Sequence, residues 1–280
     1  MDLGLKGKLA LVSGSTAGIG FAIATTLARE GARVVINGRT AERVKTAAER
    51  IRMELRGAEV TEVAADLGTA EGISKLIEQV PSADILVNNL GIFDIKPFLE
   101  IPDSEWQRFF EVNVMSGVRL TRHYLPGMLE RKWGRVIFIS SESGQQIPAE
   151  MVHYGMTKTA QIAIARGVAE SFAASGVTVN SVLVGPTASE GAGDFVQSMA
   201  KSRGVSPAQI EKEFFESARP SSLLKRFETT EEIAAIVAFL AGIALSLVRP
   251  ALLFLGLVKA CEFCGVKSHP TTPSRYAHDD

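Results

Sequence analysis

The stretch Leu9-Ala-Leu-Val-Ser13-Gly14-Ser15-Thr16-Ala17-Gly18-Ile19-Gly20 decides the reading of the fold. Leu9–Ser13 is a short continuous apolar run, the pattern of a strand buried on both faces. It passes into a glycine-rich turn. Ile19–Glu30 then places apolar residues at three-to-four spacing, the period of a helix. Strand, glycine turn and helix in that order are the context a dinucleotide site requires. Gly14 allows the tight turn, Gly18 lets the backbone approach a pyrophosphate, and Gly20 lets helix and strand pack closely. Ser15, Thr16 and Ile19 complete the turn. The helix N-terminus offers free N–H groups and a positive dipole end to phosphates.

The same alternation continues outward. Apolar β-branched runs occur at Arg33–Ile36, Val60–Ala64, Ile85–Asn88, Val136–Ser140 and Val177–Leu183. Helical patterns separate them at Ala41–Leu55, Ala70–Val80, Ser104–Glu130 and Tyr154–Ala174. Thr40 is a good N-cap for the second helix, and Gly31 and Gly57 close the first two. Strand and helix in strict alternation give an α/β fold, a doubly wound parallel sheet of the Rossmann kind, in one domain. Thr187–Phe227 interrupts the alternation as a long insertion, helical around Pro207–Ala218, of the sort that forms substrate loops. The domain is expected to span 1–258, with Lys259–Asp280 as a poorly ordered tail.

Composition excludes several functions. The 280 residues are 46% apolar, and 30 basic residues face 31 acidic ones, for a net charge of −1. That balance offers no bulk attraction to nucleic acid or anionic lipid. Two cysteines cannot build a disulfide framework, so a reducing cytoplasm is expected. Met1–Lys8 lacks the basic and apolar regions of a secretory leader. The longest greasy stretch, Gly242–Val258, is broken by Arg249-Pro250 and is shorter than the ~20 residues of a spanning helix. Cys261, Cys264 and His269 would supply an incomplete zinc set, so no metal is expected.

The second strand ends Val35-Ile36-Asn37-Gly38-Arg39-Thr40. An acidic residue there would accept from the ribose 2′-hydroxyl of NAD and repel a 2′-phosphate. Arg39 can instead hold that phosphate and stack on adenine, which points to NADP(H). A second signal is Tyr154-Gly-Met-Thr-Lys158. Positions i and i+4 share a helix face, so phenol and ammonium point the same way. A neighbouring Lys⁺ favours phenolate, and Tyr154 becomes a usable general acid or base. Just past the fifth strand, the Ser141 hydroxyl can donate to a carbonyl gaining charge, with Ser140 and Ser143 as competitors.

Ser13-Gly14-x-x-x-Gly18-Ile-Gly20, Asp66, Asn88-Asn89-Leu90-Gly91, Asn113, Ser141, Tyr154-x-x-x-Lys158 and Val184-Gly185 together resemble the short-chain dehydrogenase/reductase superfamily. The resemblance spans residues 5–241 and is to its single-domain branch, similar to 3-oxoacyl-ACP reductases. It implies a Tyr154, Lys158, Ser141 and Asn113 catalytic set, with Ser140 structural. Asp66, next to Leu67, would accept from the adenine amino group, although a helix cap is the plain alternative. Asn89 and Gly91 would line the adenosine side, and Gly185 and Thr187 would lie along the cofactor. The residue matching Asn113 would bend its helix and hold a water leading to the lysine. A homodimer or homotetramer is implied, with a small-molecule carbonyl or alcohol as substrate. The sequence departs from the family after about residue 241. Ala251–Val258 can still form a seventh, edge strand, but the tetramer contact it would make is open. His153 reads as a rim or packing residue, Trp106 and Trp133 as helix-packing aromatics, and Arg131, Lys132 and Arg135 as cations at a helix end.

Overall fold

The computed structural model describes residues 2–242 and 252–254. Among the described residues seven strands form one sheet: β1 (Leu9–Val12), β2 (Arg33–Gly38), β3 (Val60–Ala64), β4 (Ile85–Asn88), β5 (Gly134–Ser141), β6 (Val177–Val184) and β7 (Leu252–Phe254). Their order is β3-β2-β1-β4-β5-β6-β7, and every pairing is parallel. Between them run α1 (Gly18–Arg29), α2 (Ala41–Glu54), α3 (Ala70–Gln79), α4 (Asp103–Phe110), α5 (Ser116–Glu130), α6 (Val152–Ser171), α7 (Glu190–Arg203), α8 (Pro207–Ser217) and α9 (Thr230–Ala241).

The apolar runs work as a two-sided sheet demands. Ala10, Val12, Val34 and Ile36 face one buried cluster, while their strand neighbours Leu11 and Val35 face another. Strand order reverses between β1 and β4, and the carboxyl ends of strands at such a switch point open a ligand crevice. The glycine turn, Asn89 and the end of β5 all lie along that edge. Thr40 caps α2 by accepting from the Arg43 N–H, and Gly31 and Gly57 both take φ of 86°.

The structure also revises several expectations. The Ser104–Glu130 helix is interrupted by a π-helical segment, Glu111–Met115, centred on Asn113. The Gly- and Ser-rich start of the insertion is helical: α7 forms despite its glycines, ends on Gly204 in the left-handed region and packs against α8. Tertiary packing outweighs propensity there. Helix α9 starts from a capping box in which Thr229 and Glu232 bond reciprocally, a Thr-x-x-Glu signal already present in the sequence. Arg135 is not a helix-end cation. It is fully buried on β5, where its guanidinium donates to the carbonyls of Gly134, Gly176 and Gly242 and lies 4.6 Å from the Trp133 ring. His153 is not on a rim; it is fully buried, with its ring 4.2 Å from that of Phe109. β7 pairs with β6 at the sheet edge, in register Ser181↔Leu252. Ala251, the remainder of the expected strand after Phe254, and Cys261, Cys264 and His269 lie outside the described residues.

Candidate active site

The glycine turn is held from below by neutral side chains. The Ser13 hydroxyl accepts from the N–H groups of Asn89 (2.9 Å) and Leu90 (3.0 Å). The Asn89 amide donates to the carbonyls of Ser13 and Gly14 at 2.9 and 3.0 Å, tying the end of β4 to the turn. Asn37 accepts from the Gly14 N–H and donates to the Val63 and Ala65 carbonyls, which links β1, β2 and β3. Gly20 cannot carry a side chain: a Cβ would sit 2.4 Å from the Gly14 carbonyl and 2.5 Å from the Asn89 amide nitrogen. Gly14 and Gly18 take φ of 60° and 55°, which favours glycine. Among the described residues no side chain caps α1, so its first N–H groups face the crevice.

Other expected contacts sort into exposed and inward groups. Ser15 is turned in: its N–H and hydroxyl bond the Asn37 and Val12 carbonyls, so it shapes the turn. Leu67 is buried in the core, leaving it only backbone to offer. Asp66 is exposed and its carboxylate accepts from the Gly68 N–H, a turn bond rather than the helix cap read as its alternative; Thr69 caps α3. Thr16 packs over Gly38, beside which Arg39 is exposed at the crevice edge. Ser189, just past Thr187, comes within 3.6 Å of where a Gly18 Cβ would be, so the loop after β6 crosses the turn. Gly91 lies where a Cβ would be 3.5 Å from the Lys158 ammonium.

The catalytic candidates meet at the end of β5 and the start of α6. Ser140 points away and donates to the Lys158 carbonyl at 2.9 Å, while Ser141 faces Tyr154. This is the strand alternation read from the sequence. The expected lowering of the Tyr154 pKa is not what this chain alone produces. Burial pushes the phenol up to about 12, with the Ser141 hydrogen bond pulling the other way. Lys158 is 5.6 Å from the Tyr154 ring centre, but its ammonium donates to the Ile139 carbonyl (2.9 Å) and to Gln161 Oε1 (3.2 Å). Burial brings Lys158 down to about 8. Asn113 accepts from the Ile92 N–H at 2.7 Å and donates to the Ile92 carbonyl and to Thr157, pinning the loop after β4.

A family profile described as short chain dehydrogenase matches residues 8–200. The chain is 48% identical over 242 residues to the oxidoreductase YvaG of Bacillus subtilis, covering 86% of this chain and 92% of that one. It is 34% identical over 244 residues to the 3-oxoacyl-[acyl-carrier-protein] reductase FabG of Aquifex aeolicus, covering 86% and 92%. The L-sorbose reductase of Gluconobacter frateurii, solved with NADPH and L-sorbose, superposes with a TM-score of 0.86 at 31% identity, covering 91% of this chain and 97% of that one. The chain belongs to the short-chain dehydrogenase/reductase family.

As a short-chain dehydrogenase it is an oxidoreductase of the CH–OH/C=O type that uses NAD(P). The uncapped α1 terminus and the side-chain-free path along Gly14, Gly18 and Gly20 fit a bound pyrophosphate. Several residues of this dehydrogenase escaped the sequence reading. Glu142, next to Ser141, is buried and pairs with Arg219 at 3.0 Å; burial raises its pKa, and Arg219 partly offsets this. Arg219 also lies 3.7 Å from Glu150, and Ser221 donates to Gln146. Glu228, also buried, accepts from the Gly185 N–H at 3.2 Å and is pushed up to about 7, mainly by burial. Lone charged residues far apart in sequence give no local signal. Gln161 did give one, because it follows Tyr154 and Lys158 on the same helix face.

Proposed function

We propose that this dehydrogenase is an NADP(H)-dependent carbonyl reductase acting on a ketone, with a 3-oxoacyl thioester or related β-keto compound as the leading substrate. The reading is carried by the convergence of Ser141, Tyr154 and Lys158 beside the glycine crevice, with Asn113 behind them. When bound, a reduced nicotinamide would supply the hydride and be oxidised in return. Tyr154 then donates its phenolic proton to the carbonyl oxygen. A phenol held near 12 is neutral at pH 7, the form that can donate. Ser141 donates to the same oxygen as charge gathers there. Lys158, with its value near 8, carries its positive charge at neutral pH and favours the developing phenolate.

The exposed Arg39 and the absence of an acidic residue at the end of β2 support NADP(H). Phe93, whose ring centre lies 6.4 Å from that of Tyr154, and Ile147, which packs against Gly155, are 69% and 48% exposed, an apolar rim suited to an acyl extension. A hydroxylated ketone is the second reading, favoured by the polar Glu142–Arg219 pair beside Ser141. A non-catalytic NADP(H) sensor would not need the full catalytic set. We further propose a cytoplasmic homodimer or homotetramer that engages neither nucleic acid nor membrane; among the described residues no helix is long and apolar enough to cross one. The test is Tyr154→Phe assayed by NADPH oxidation over a panel of β-keto thioesters and keto-sugars. It should retain cofactor binding and lose about 10²–10⁴-fold in kcat. Activity within about threefold of the parent at saturating substrate is too small a loss for a general acid and would sink the reading.

A further inference from the structure

Gln161 is 1% exposed and sits three residues after Lys158 on α6. Its amide bridges two groups of the site. Nε2 donates to the Asn113 carbonyl at 2.6 Å, and Oε1 accepts from the Lys158 ammonium at 3.2 Å. Chemistry forces this orientation, because a carbonyl can only accept and an ammonium can only donate. The Asn113 side chain is fully engaged with Ile92 and Thr157, so its main-chain carbonyl is the group it presents to Gln161. That carbonyl lies inside the π segment Glu111–Met115, and a side chain entering the helix ladder is an identifiable cause of such a distortion. The amide thus connects the Asn113 carbonyl to the lysine directly.

We propose that Gln161 is a positioning residue of the reductase: its amide fixes the Lys158 ammonium and couples it to the Asn113 carbonyl. The Lys158 ammonium donates to two neutral oxygens, the Ile139 carbonyl and Gln161 Oε1. A buried cation with neutral partners has its charge set by each hydrogen bond it makes. Removing the amide oxygen therefore makes the charged lysine harder to keep, and replacing it with a carboxylate makes it easier. The amide holds both ends in fixed geometry.

The inference rests on the reading of Tyr154 and Lys158 as the proton-handling pair. The experiment is the pH profile of kcat/KM for ketone reduction in the parent, Gln161→Met and Gln161→Glu, with melting temperature and NADPH affinity measured alongside. In the parent, activity should fall as pH rises through the lysine value near 8. In Gln161→Met this alkaline limb should move down, and in Gln161→Glu up, each by about one pH unit. A residue that merely fills space would lower activity at all pH values without moving the limb in opposite directions. If Gln161→Met does not fold, Gln161→Glu decides alone, because an unmoved or lowered limb there overturns the inference. Limbs that stay with the parent, or shift in the same direction in both variants, also overturn it. Failure of the underlying reading looks different: Tyr154→Phe would then keep parental activity whatever the Gln161 variants do.

Discussion

Around the glycine turn, Ser13, Ser15, Asn37 and Asn89 turn short neutral side chains onto backbone groups at the ends of adjacent strands. On the substrate side of the cleft, Glu142, Glu150 and Arg219 pair long charged side chains with one another, and Glu142 and Arg219 lie 77 residues apart. The neutral side needs no compensation for buried charge and holds its shape at any ordinary pH. The charged side carries a desolvation penalty that its pairing must offset, and its geometry answers to pH. The rigid half is the half any dinucleotide would use. Under the proposed function the adjustable half would face the variable part of a substrate, where specificity is set.

The contrast can be broken most severely at Gly20. Gly20→Ala places a methyl against the Gly14 carbonyl and the Asn89 amide. The expected loss is about 3 kcal/mol, the upper end of ordinary overpacking, together with NADPH binding. Urea unfolding and fluorescence titration with NADPH would show it, and parental values in both would mean the turn is not close-packed.

A smaller effect is expected across the cleft. Arg219→Met should destabilise by about 2 kcal/mol, less than a fully buried broken pair, by leaving Glu142 without its cation. Adding Glu142→Gln should recover part of that loss. Strict additivity of the two changes in thermal melts would show that the side chains do not interact.

The smallest effect concerns Glu228. Folding pushes its carboxyl from 4.5 up to about 7, so the folded chain binds that proton more tightly than the unfolded one. Its contribution is complete below about pH 4.5 and is lost as pH rises towards 7. The neighbouring Glu142 and Glu232 charges push the same way as burial, while Arg226 and the Gly185 N–H oppose it. Glu228→Gln, always neutral, should gain roughly 1 kcal/mol over the parent at pH 8, a fraction of the ~3 kcal/mol of the full shift because the ionised site relaxes and admits water, and nothing near pH 4.5. A pH-independent difference in melting temperature would show that Glu228 does not titrate in this range.

Much of this molecule was legible in one dimension. The strand–turn–helix at Leu9–Arg29, the alternation of strands and helices, and the Tyr154–Lys158 face are local patterns, each complete within one or two turns of chain. That Ser140 and Ser141 cannot both face the site was readable because successive strand residues point to opposite faces; the resemblance picked Ser141, and Ser140 bonds the Lys158 carbonyl. Less legible were α7, whose glycines disguise a helix stabilised from outside, and Arg135, whose buried guanidinium is satisfied by carbonyls from three separate segments.

The sequence by itself determined the parallel α/β architecture, the glycine turn and the helix face that carries Tyr154 and Lys158, because periodicity and glycine placement act over a few residues. Tertiary structure alone decided the rest. It turned Ser15 and Leu67 inward, set Arg219 against Glu142, brought Glu228 to Gly185, and joined Gln161 to both Lys158 and Asn113. The physical reason is range. A backbone turn is fixed by the steric limits of its own residues, whereas a buried charge or amide is fixed by whichever distant group satisfies it, and only folding brings the two together.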